Sequence, residues 1–215
     1  MIVLKPVSGL CNRLRAMFSY LIYANHTNQH LIVMWNVTLE CNGRFIDYFY
    51  IPNNVTIVPR YFGKIHYITN EPHPDTKNQY YYDDLRLLPH MEEKINTIKS
   101  LLGKYIAVHI RRTDHILLAK EQQLYLDDKA YIDFINTYPE YNLYIATDNL
   151  ETQQYFNSLY ENRIKVIPPM NNSSDLRKTT LEQAIIDLYV CAGSEKFMGA
   201  SYSSFTDTIL MLRNK

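Results

Sequence analysis

The residues best suited to binding an anion are Arg111 and Arg112, which follow a short apolar segment and the intervening His109 and Ile110. That segment, residues 104–108, is rich in β-branched and aromatic residues and follows Gly103, a pattern that predicts a β-strand. Ligands of open α/β sheets bind at the carboxyl ends of the strands, where these arginines would lie. Because a guanidinium group is permanently charged and its planar fork of donors matches phosphate oxygens, a diphosphate is the first ligand to consider.

A surface pair of arginines is the competing interpretation. Consecutive residues of a strand point to opposite faces, so the two side chains reach one anion only where the strand is already turning. Asp114 lies close enough in the sequence to form an ion pair with either arginine. The two arginines alone favour the surface pair, and the residues at the other predicted strand ends favour the anion site.

Polar residues follow two more predicted strands in the second half of the chain. The first of these strands, residues 143–146, ends in Thr147 and Asp148. The second, residues 196–199, ends in a turn with three serines: Ser201, Ser203 and Ser204. Helices are predicted at residues 130–138, 151–160, 179–191 and 205–212, and a further strand at residues 164–167. This alternation predicts a doubly wound parallel sheet whose carboxyl edge gathers the arginines, the aspartate and the serines in one crevice.

The first half opens with another strand, loop and helix. A strand is predicted at residues 2–4, a turn at Ser8 and Gly9, and a helix where apolar residues recur at helical spacing from residue 14 to residue 22. Such a loop places backbone N–H groups and the positive end of a helix beside a phosphate or sugar oxygen. Further strands are predicted at residues 31–35, 55–58 and 65–68, and a helix at residues 91–102. We place the domain boundary after that helix, which gives domains of residues 1–102 and 103–215.

The composition is that of an ordinary globular protein. The 215 residues are 47% hydrophobic, and 22 basic residues balance 22 acidic ones, so no bulk charge favours nucleic acid or an anionic membrane as a partner. The three cysteines are far apart and lack CxxC spacing, which excludes a zinc knuckle and favours a reducing compartment. No apolar run has the length of a signal-peptide core or a membrane span. We therefore expect a cytoplasmic protein.

Four segments together resemble the α1,2- and α1,6-fucosyltransferases, a superfamily that includes the protein O-fucosyltransferases. The segment from His109 to Asp114 is similar to their HxRRxD motif, and Ala-Thr-Asp-Asn at residues 146–149 resembles a second motif, in which a strand ends in Thr-Asp. Residues 187–205 resemble the third, in which a helix carrying Asp and Cys leads to a strand and an S-x-S-S turn. Gly-Leu-Cys-Asn-Arg at residues 9–13 resembles the glycine loop of the N-terminal half. The four segments occur in the family's order, each at a predicted strand end, which makes the resemblance specific.

The resemblance implies a GT-B fold, an α/β architecture in which two Rossmann-like domains with parallel sheets face each other across a cleft. It implies an inverting transfer of fucose from GDP-fucose to a glycan hydroxyl, with no cofactor and no metal. The N-terminal domain would serve the acceptor and the C-terminal domain would bind the nucleotide sugar. No Asp-x-Asp segment of the kind that holds a divalent metal in other transferases lies in a suitable loop, which agrees with a metal-free site.

The resemblance also implies roles for individual residues. Arg111 would contact the β-phosphate and be the least replaceable residue, with Arg112 assisting it and Asp114 orienting the arginines or acting in catalysis. The other donor contacts would come from both domains: Gly9, Asn12 and Arg13 in the glycine loop, His109 near the guanine or ribose, Asp148 at the nucleotide pocket, and Ser201, Ser203 and Ser204 around the phosphate oxygens.

Several questions stay open at this stage. Inversion requires a base for the acceptor proton, and six residues qualify: Glu71, His73, Asp83, Asp84, Asp114 and His115. The acceptor and the choice between α1,2 and α1,6 linkage are equally open. The same fold and mechanism could serve another nucleotide sugar, and a non-catalytic module that binds a nucleotide sugar or a glycan is the alternative from another class. A dinucleotide oxidoreductase is disfavoured because no GxGxxG follows the first strand.

Overall fold

The computed structural model describes residues 1–79, 81–113, 116–170 and 179–214. Asp114 and His115, both named above, lie outside the described residues. The chain divides into two compact units, residues 1–91 and residues 92–214. No helix in the described part of the chain is both long and apolar enough to cross a bilayer.

The first unit is a parallel sheet with a long helix packed against it. Its strands are β1 (Ile2–Pro6), β2 (Leu31–Met34), β3 (Val55–Val58) and β4 (Tyr67–Thr69), in the spatial order β3-β2-β1-β4. Helix α1 (Leu10–His26) follows β1, and short 3-10 turns occupy Phe45–Asp47 and Pro74–Thr76. Leu14, Met17 and Leu21 of α1 are buried, so the apolar face predicted from helical spacing is the face that forms the core.

Strand β4 begins later than the sequence predicts. The expected strand at residues 65–68 is found at Tyr67–Thr69. The backbone N–H of Val3 donates to His66 Nδ1 at 2.9 Å, so a side chain takes the position that a carbonyl of β4 would occupy. The parallel pairing with β1 therefore starts only after His66.

The second unit is a parallel sheet whose strands alternate with helices. Its elements are α2 (Pro89–Leu102), β5 (Tyr105–Ile110), α3 (Ile116–Glu121), α4 (Asp128–Thr137), β6 (Asn142–Thr147), α5 (Leu150–Leu159), α6 (Leu181–Ala192), β7 (Lys196–Gly199) and α7 (Ser204–Arg213). The order is β6-β5-β7, and all six residues of the central β5 are buried. Ile110 pairs with Thr147 and His109 with Gly199, so the three strands end nearly level.

The predicted strand at residues 164–167 is wrong. The chain makes one backbone hydrogen bond to β6 at this point, from the N–H of Leu143 to the carbonyl of Arg163, and residues 164–167 then run without a strand assignment. The Arg163 side chain holds the segment by donating to the carbonyls of Ile135, Tyr138 and Tyr141. The prolines at residues 168 and 169 have no N–H to extend a ladder.

Candidate functional site

The carboxyl edge of the second sheet brings most of the predicted donor residues together. Arg111 and Arg112 follow β5, Asp148 follows β6, and Ser203 caps the helix that follows β7. The parallel pairing of the strands fixes this arrangement, because each strand delivers its last residue to the same edge. The predicted grouping of these residues is therefore present in the structure.

Asp148 fastens the turn that carries the two arginines. Its Oδ1 accepts the backbone N–H of Arg112 at 2.8 Å, and its Oδ2 accepts the hydroxyl of Thr113 at 2.5 Å. A carboxylate that accepts one backbone donor and one side-chain donor restrains the conformation of both residues that it contacts. Asp148 thus acts on the arginine turn directly.

Arg112 is anchored within the protein. Its Nη2 donates to Asp128 Oδ1 at 2.8 Å, its Nη1 donates to the carbonyl of Arg111 at 3.2 Å, and its guanidinium lies over the Tyr125 ring, 4.8 Å from the centroid. Burial lowers the pKa of Arg112, but the hydrogen bond to Asp128 and the nearby acidic groups raise it more, so the net shift is upward. The Arg112 side chain is therefore bonded to the N-terminus of α4 and restricts the movement of the turn that carries the two arginines.

Arg111 is directed toward the start of α7. Its Nη1 approaches Ser203 Oγ to 3.5 Å. Ser203 is buried and caps α7, its Oγ accepting the N–H of Phe205 at 3.3 Å. A ten-residue helix that begins here presents its positive end at the same place as the guanidinium. The combination suits a phosphate group.

The serine turn contains one contact that the sequence did not predict. The hydroxyl of Tyr202 donates to the carbonyl of Arg111 at 3.0 Å, so the serine turn and the arginine turn are bonded to each other. Ser201 is exposed, and its Oγ donates to the carbonyl of Leu124 at 3.3 Å. The sequence signal for Tyr202 is its position within the motif, between Ser201 and Ser203.

His109 is buried beneath the site. Its Nδ1 lies 2.9 Å from Thr206 Oγ1, and its ring packs on Phe205 with the centroids 4.7 Å apart. Burial, and secondarily the charge of Arg111, lower the pKa of His109 to about 3. The imidazole is therefore neutral at physiological pH and braces the N-terminal turn of α7.

This lowered pKa makes stability depend on pH in a defined direction. In the unfolded chain His109 takes up a proton near pH 6.5, but in the folded protein it does so only near pH 3. The stabilisation is thus full above pH 6.5 and is lost as the pH falls toward 3, by up to about 1.4 kcal/mol per pH unit. We expect the difference in unfolding free energy between the wild type and His109→Gln, measured with urea, to shrink by about 2–3 kcal/mol between pH 6.5 and pH 4.5. A difference that does not change with pH would show that His109 is solvated.

A second buried polar cluster supports the same sheet from α6. Asp187 accepts the Tyr144 hydroxyl at 2.6 Å and the Gln183 side-chain amide at 2.7 Å. Burial raises the pKa of Asp187 to about 6, although both hydrogen bonds act in the opposite direction. Asp187 and Cys191, which both belong to the third motif, are buried, so they are core residues of the second unit.

The glycine loop of the first unit has a different construction from that expected. The residue with a left-handed backbone is Ser8 (φ 68°), whereas Gly9 is extended and precedes α1. Arg13 is 1% exposed and donates to the carbonyls of Ser8 and Asn36 and to Thr38 Oγ1. Its guanidinium therefore ties the loop after β1 to the loop after β2. Asn12 is half-buried on the same turn of α1.

The structure also separates the candidate bases. His73 is buried, stacked on Tyr23 at 3.6 Å between ring centroids and packed edge-on against Tyr20 and Tyr67. Its Nδ1 accepts the backbone N–H of Asp75 at 3.2 Å. This packing is that of a core residue. Glu71 is exposed and paired with Arg15 at 3.2 Å.

Asp83 and Asp84 line a shallow pocket on α1. Its volume is about 130 Å³, and the remaining lining residues include Phe18, Leu21 and Tyr81. The pocket adjoins the second half of α1, whereas Gly9 precedes its first turn. Within the described ranges, no three His, Cys, Asp or Glu side chains are grouped as metal ligands.

The fold is similar to that of solved fucosyltransferases. The NodZ α-1,6-fucosyltransferase soaked with GDP-fucose matches with a TM-score of 0.67 and 13% sequence identity, over 98% of this chain and 92% of that one. The fucosyltransferase NodZ from Bradyrhizobium matches with a TM-score of 0.66 at 13% identity, over 97% and 91% of the two chains. POFUT1 in complex with GDP-fucose matches with a TM-score of 0.68 at 12% identity, over 99% and 94%. No protein-family profile and no curated protein sequence matches this chain. The predicted α/β fold of the GT-B class is confirmed.

Proposed function

We propose that the protein is an inverting glycosyltransferase that transfers fucose from GDP-fucose to a glycan hydroxyl. The observation that carries the proposal is the meeting of Arg111 with the capped N-terminus of α7, 3.5 Å from Nη1 to Ser203 Oγ. The similarity of the fold to a NodZ soaked with GDP-fucose and to POFUT1 with GDP-fucose supports the choice of donor. The HxRRxD-type segment supports it independently of the fold.

The proposed division of labour follows the two domains predicted from the sequence. The C-terminal domain, residues 103–215, binds the donor, and the N-terminal domain, residues 1–102, serves the acceptor. Gly9 and Asn12 are its contribution to donor binding. Arg13 is better suited to holding the glycine loop, because its guanidinium is buried and bonded within the protein.

The proposed chemistry needs positive charge at the leaving group. The bond from the fucose anomeric carbon to the β-phosphate oxygen breaks while the acceptor hydroxyl attacks from the opposite face, so GDP leaves with the extra negative charge. The proposed donors are Arg111, the start of α7 and the hydroxyls of Ser203 and Ser204, and the contact of Arg111 with Ser203 and the cap of α7 exist before the reaction begins. Donors fixed in this way stabilise the departing phosphate more than the bound substrate. We propose that this arrangement acts without a metal ion.

The acceptor proton requires a base, and the proposed candidates are His115 and the four carboxylates that the sequence indicates. The aromatic packing of His73 argues against that residue. Glu71, Asp83 and Asp84 are exposed. Asp114 comes two residues after Arg112 in the sequence and lies outside the described residues. The linkage, α1,2 or α1,6, depends on the same acceptor geometry.

Calorimetric titration tests the donor assignment. We expect the protein to bind GDP and GDP-fucose in a buffer with chelator, GDP-mannose more weakly, and UDP-glucose not at all. Slow release of GDP from GDP-fucose would identify an enzyme, whereas protection of the donor would identify a nucleotide-sugar-binding module. Equal affinity for GDP-mannose would favour the alternative of another sugar, and failure to bind GDP would overturn the diphosphate site.

Replacement of Asp148 tests its positioning role. We expect Asp148→Ala to lower the turnover of GDP-fucose by about tenfold to a hundredfold, because the backbone N–H of Arg112 and the hydroxyl of Thr113 lose their shared acceptor and the arginine turn moves. Steady-state kinetics should place the loss mainly in kcat. Asp148→Asn retains an acceptor for the Arg112 N–H and should recover much of the rate. Equal losses in the two variants would instead indicate that the carboxylate charge acts on the substrate.

A further inference from the structure

Two loops at the carboxyl edge of the first sheet expose large apolar side chains. Leu39, in the connection after β2, is 89% exposed, and Phe62, in the connection after β3, is 97% exposed. Val37 lies in the first of these loops and is also exposed. Strands β2 and β3 are neighbours, so both loops leave the sheet at adjacent positions. Isolated exposed apolar residues are common and need no explanation, but two at the tips of adjacent loops indicate an interaction site.

The first loop is held in place by hydrogen bonds. Thr38 and Cys41 exchange backbone hydrogen bonds of 3.0 and 3.2 Å, which places Leu39 at the tip of a tight turn. The buried Arg13 donates to Thr38 Oγ1 at 2.8 Å. Asn36 Nδ2 donates to the carbonyl of Pro59 at 3.1 Å, which connects the first loop to the second. Leu39 is thus presented by a restrained turn.

In the second loop, Phe62 lies between a tyrosine and a glycine that contact each other. The Tyr61 ring folds over Gly63, and a Cβ atom on that glycine would come within 2.7 Å of Tyr61 Cε1. The ring therefore covers the glycine backbone while Phe62, between the two, stays at the tip. A larger residue at position 63 would have to displace the outer part of the Tyr61 ring.

Basic residues flank the exposed phenylalanine. Arg60 and Lys64 are exposed, and neither forms an ion pair with a described residue. Residues 36–41 and 59–66 contain one acid, Glu40, whose carboxylate accepts the Thr38 hydroxyl at 2.9 Å. Two cations and one anion leave a formal charge of 2 − 1 = +1 at the tips of a chain whose net charge is zero.

We propose that this tip surface, formed by Leu39, Phe62, Arg60 and Lys64, docks on an anionic lipid bilayer. Apolar side chains at loop tips can enter the boundary between headgroups and acyl chains, while adjacent Lys and Arg bind the headgroups. The apolar residues are few, separated and carried on projecting tips. A stable protein partner would instead need about 1,000 Å² or more of complementary surface. The exposed cations Arg60 and Lys64 are complementary to an anionic headgroup layer, which favours the lipid surface.

Sedimentation with vesicles tests the proposal on the full chain. We expect binding to phosphatidylcholine vesicles that contain about 30% phosphatidylglycerol and little binding to phosphatidylcholine alone. Arg60→Ser and Lys64→Ser should each weaken binding about fivefold, with the loss disappearing at high salt. The double variant Leu39→Ser, Phe62→Ser should weaken it about tenfold or more. Ile68→Ser is the matched control, because Ile68 is also an exposed apolar residue but lies on β4, at the opposite edge of the sheet.

A fluorescence variant gives a signal that does not depend on loss of binding. Trp35, the sole tryptophan of the chain, is buried and provides a constant background. We expect Phe62→Trp to shift its emission to the blue on anionic vesicles and to be quenched by brominated acyl chains, and Ile68→Trp to do neither.

Three results would overturn the proposal. The first is absence of binding to anionic vesicles at low salt. The second is full binding by the Leu39→Ser, Phe62→Ser double variant and by the Arg60→Ser and Lys64→Ser variants. The third is self-association that Phe62→Ser abolishes, which would assign the surface to a second copy. GDP affinity should be the same in all these variants, since none of the changed residues is assigned a contact with the donor. The proposed function and the membrane surface can therefore fail separately.

Discussion

Replacing Arg111 by alanine is expected to slow fucosyl transfer by about two to three orders of magnitude, the usual cost of removing a fixed donor from a developing oxyanion. In the proposed site the guanidinium and the start of α7 would act on one phosphate group, and the neutral serines would not replace the charge of the arginine. Single-turnover release of GDP from GDP-fucose measures the chemical step, and calorimetry measures the accompanying loss of GDP affinity. Arg111→Lys keeps the charge but loses the planar fork, and its rate should fall between those of the wild type and the alanine variant.

The adjacent arginine provides the matched control. Arg112 donates to Asp128 and lies over Tyr125, so Arg112→Ala should act through the turn and slow the reaction by only about tenfold. We expect Arg112→Ala to lower the thermal midpoint more than Arg111→Ala does, because it removes a partly buried ion pair. If Arg112→Ala lost more GDP affinity than Arg111→Ala, the assignment of the two side chains would have to be exchanged.

Much of the carboxyl edge of the second sheet could be predicted because it depends on local patterns. The β-branched and aromatic residues before Arg111 predict a strand, and the alternation of strands and helices fixes all strand ends on one edge. Asp148 and Ser203 then follow from their positions after β6 and β7. Sequence periodicity and the rules of parallel topology are sufficient for this step.

The distinct environments of the two arginines could not be predicted, because they depend on tertiary contacts. Arg112 is anchored by Asp128, 16 residues later, and by the ring of Tyr125. His109 similarly looked available to a nucleotide, but its ring lies under α7 against Thr206 and Phe205. The missing strand at residues 164–167 has the same origin, since the side chain of Arg163 rather than a ladder holds that segment.

Replacing Arg13 is the change for which we expect the second large effect, and that effect is on stability. The resemblance implies a donor contact, but the structure shows a guanidinium that is 1% exposed, lies 5.4 Å from the Trp35 ring centroid and bonds Ser8, Asn36 and Thr38. Arg13→Ala leaves buried carbonyls without donors, and we expect the unfolding free energy to fall by about 3–5 kcal/mol. Urea titration followed by Trp35 fluorescence measures this directly. Arg13→Lys keeps the charge without the three-way geometry and should recover little of the loss.

Arg15 tests whether this effect belongs to the buried position rather than to any arginine of α1. It is more exposed, and it donates to the carbonyl of Asn70 and pairs with Glu71, so Arg15→Ala should cost about 1 kcal/mol or less. GDP affinity separates the two roles proposed for Arg13. If Arg13 holds the glycine loop, the folded Arg13→Lys variant binds GDP nearly as well as the wild type, measured below its unfolding transition. A large loss of GDP affinity with little loss of stability would restore Arg13 to the donor site.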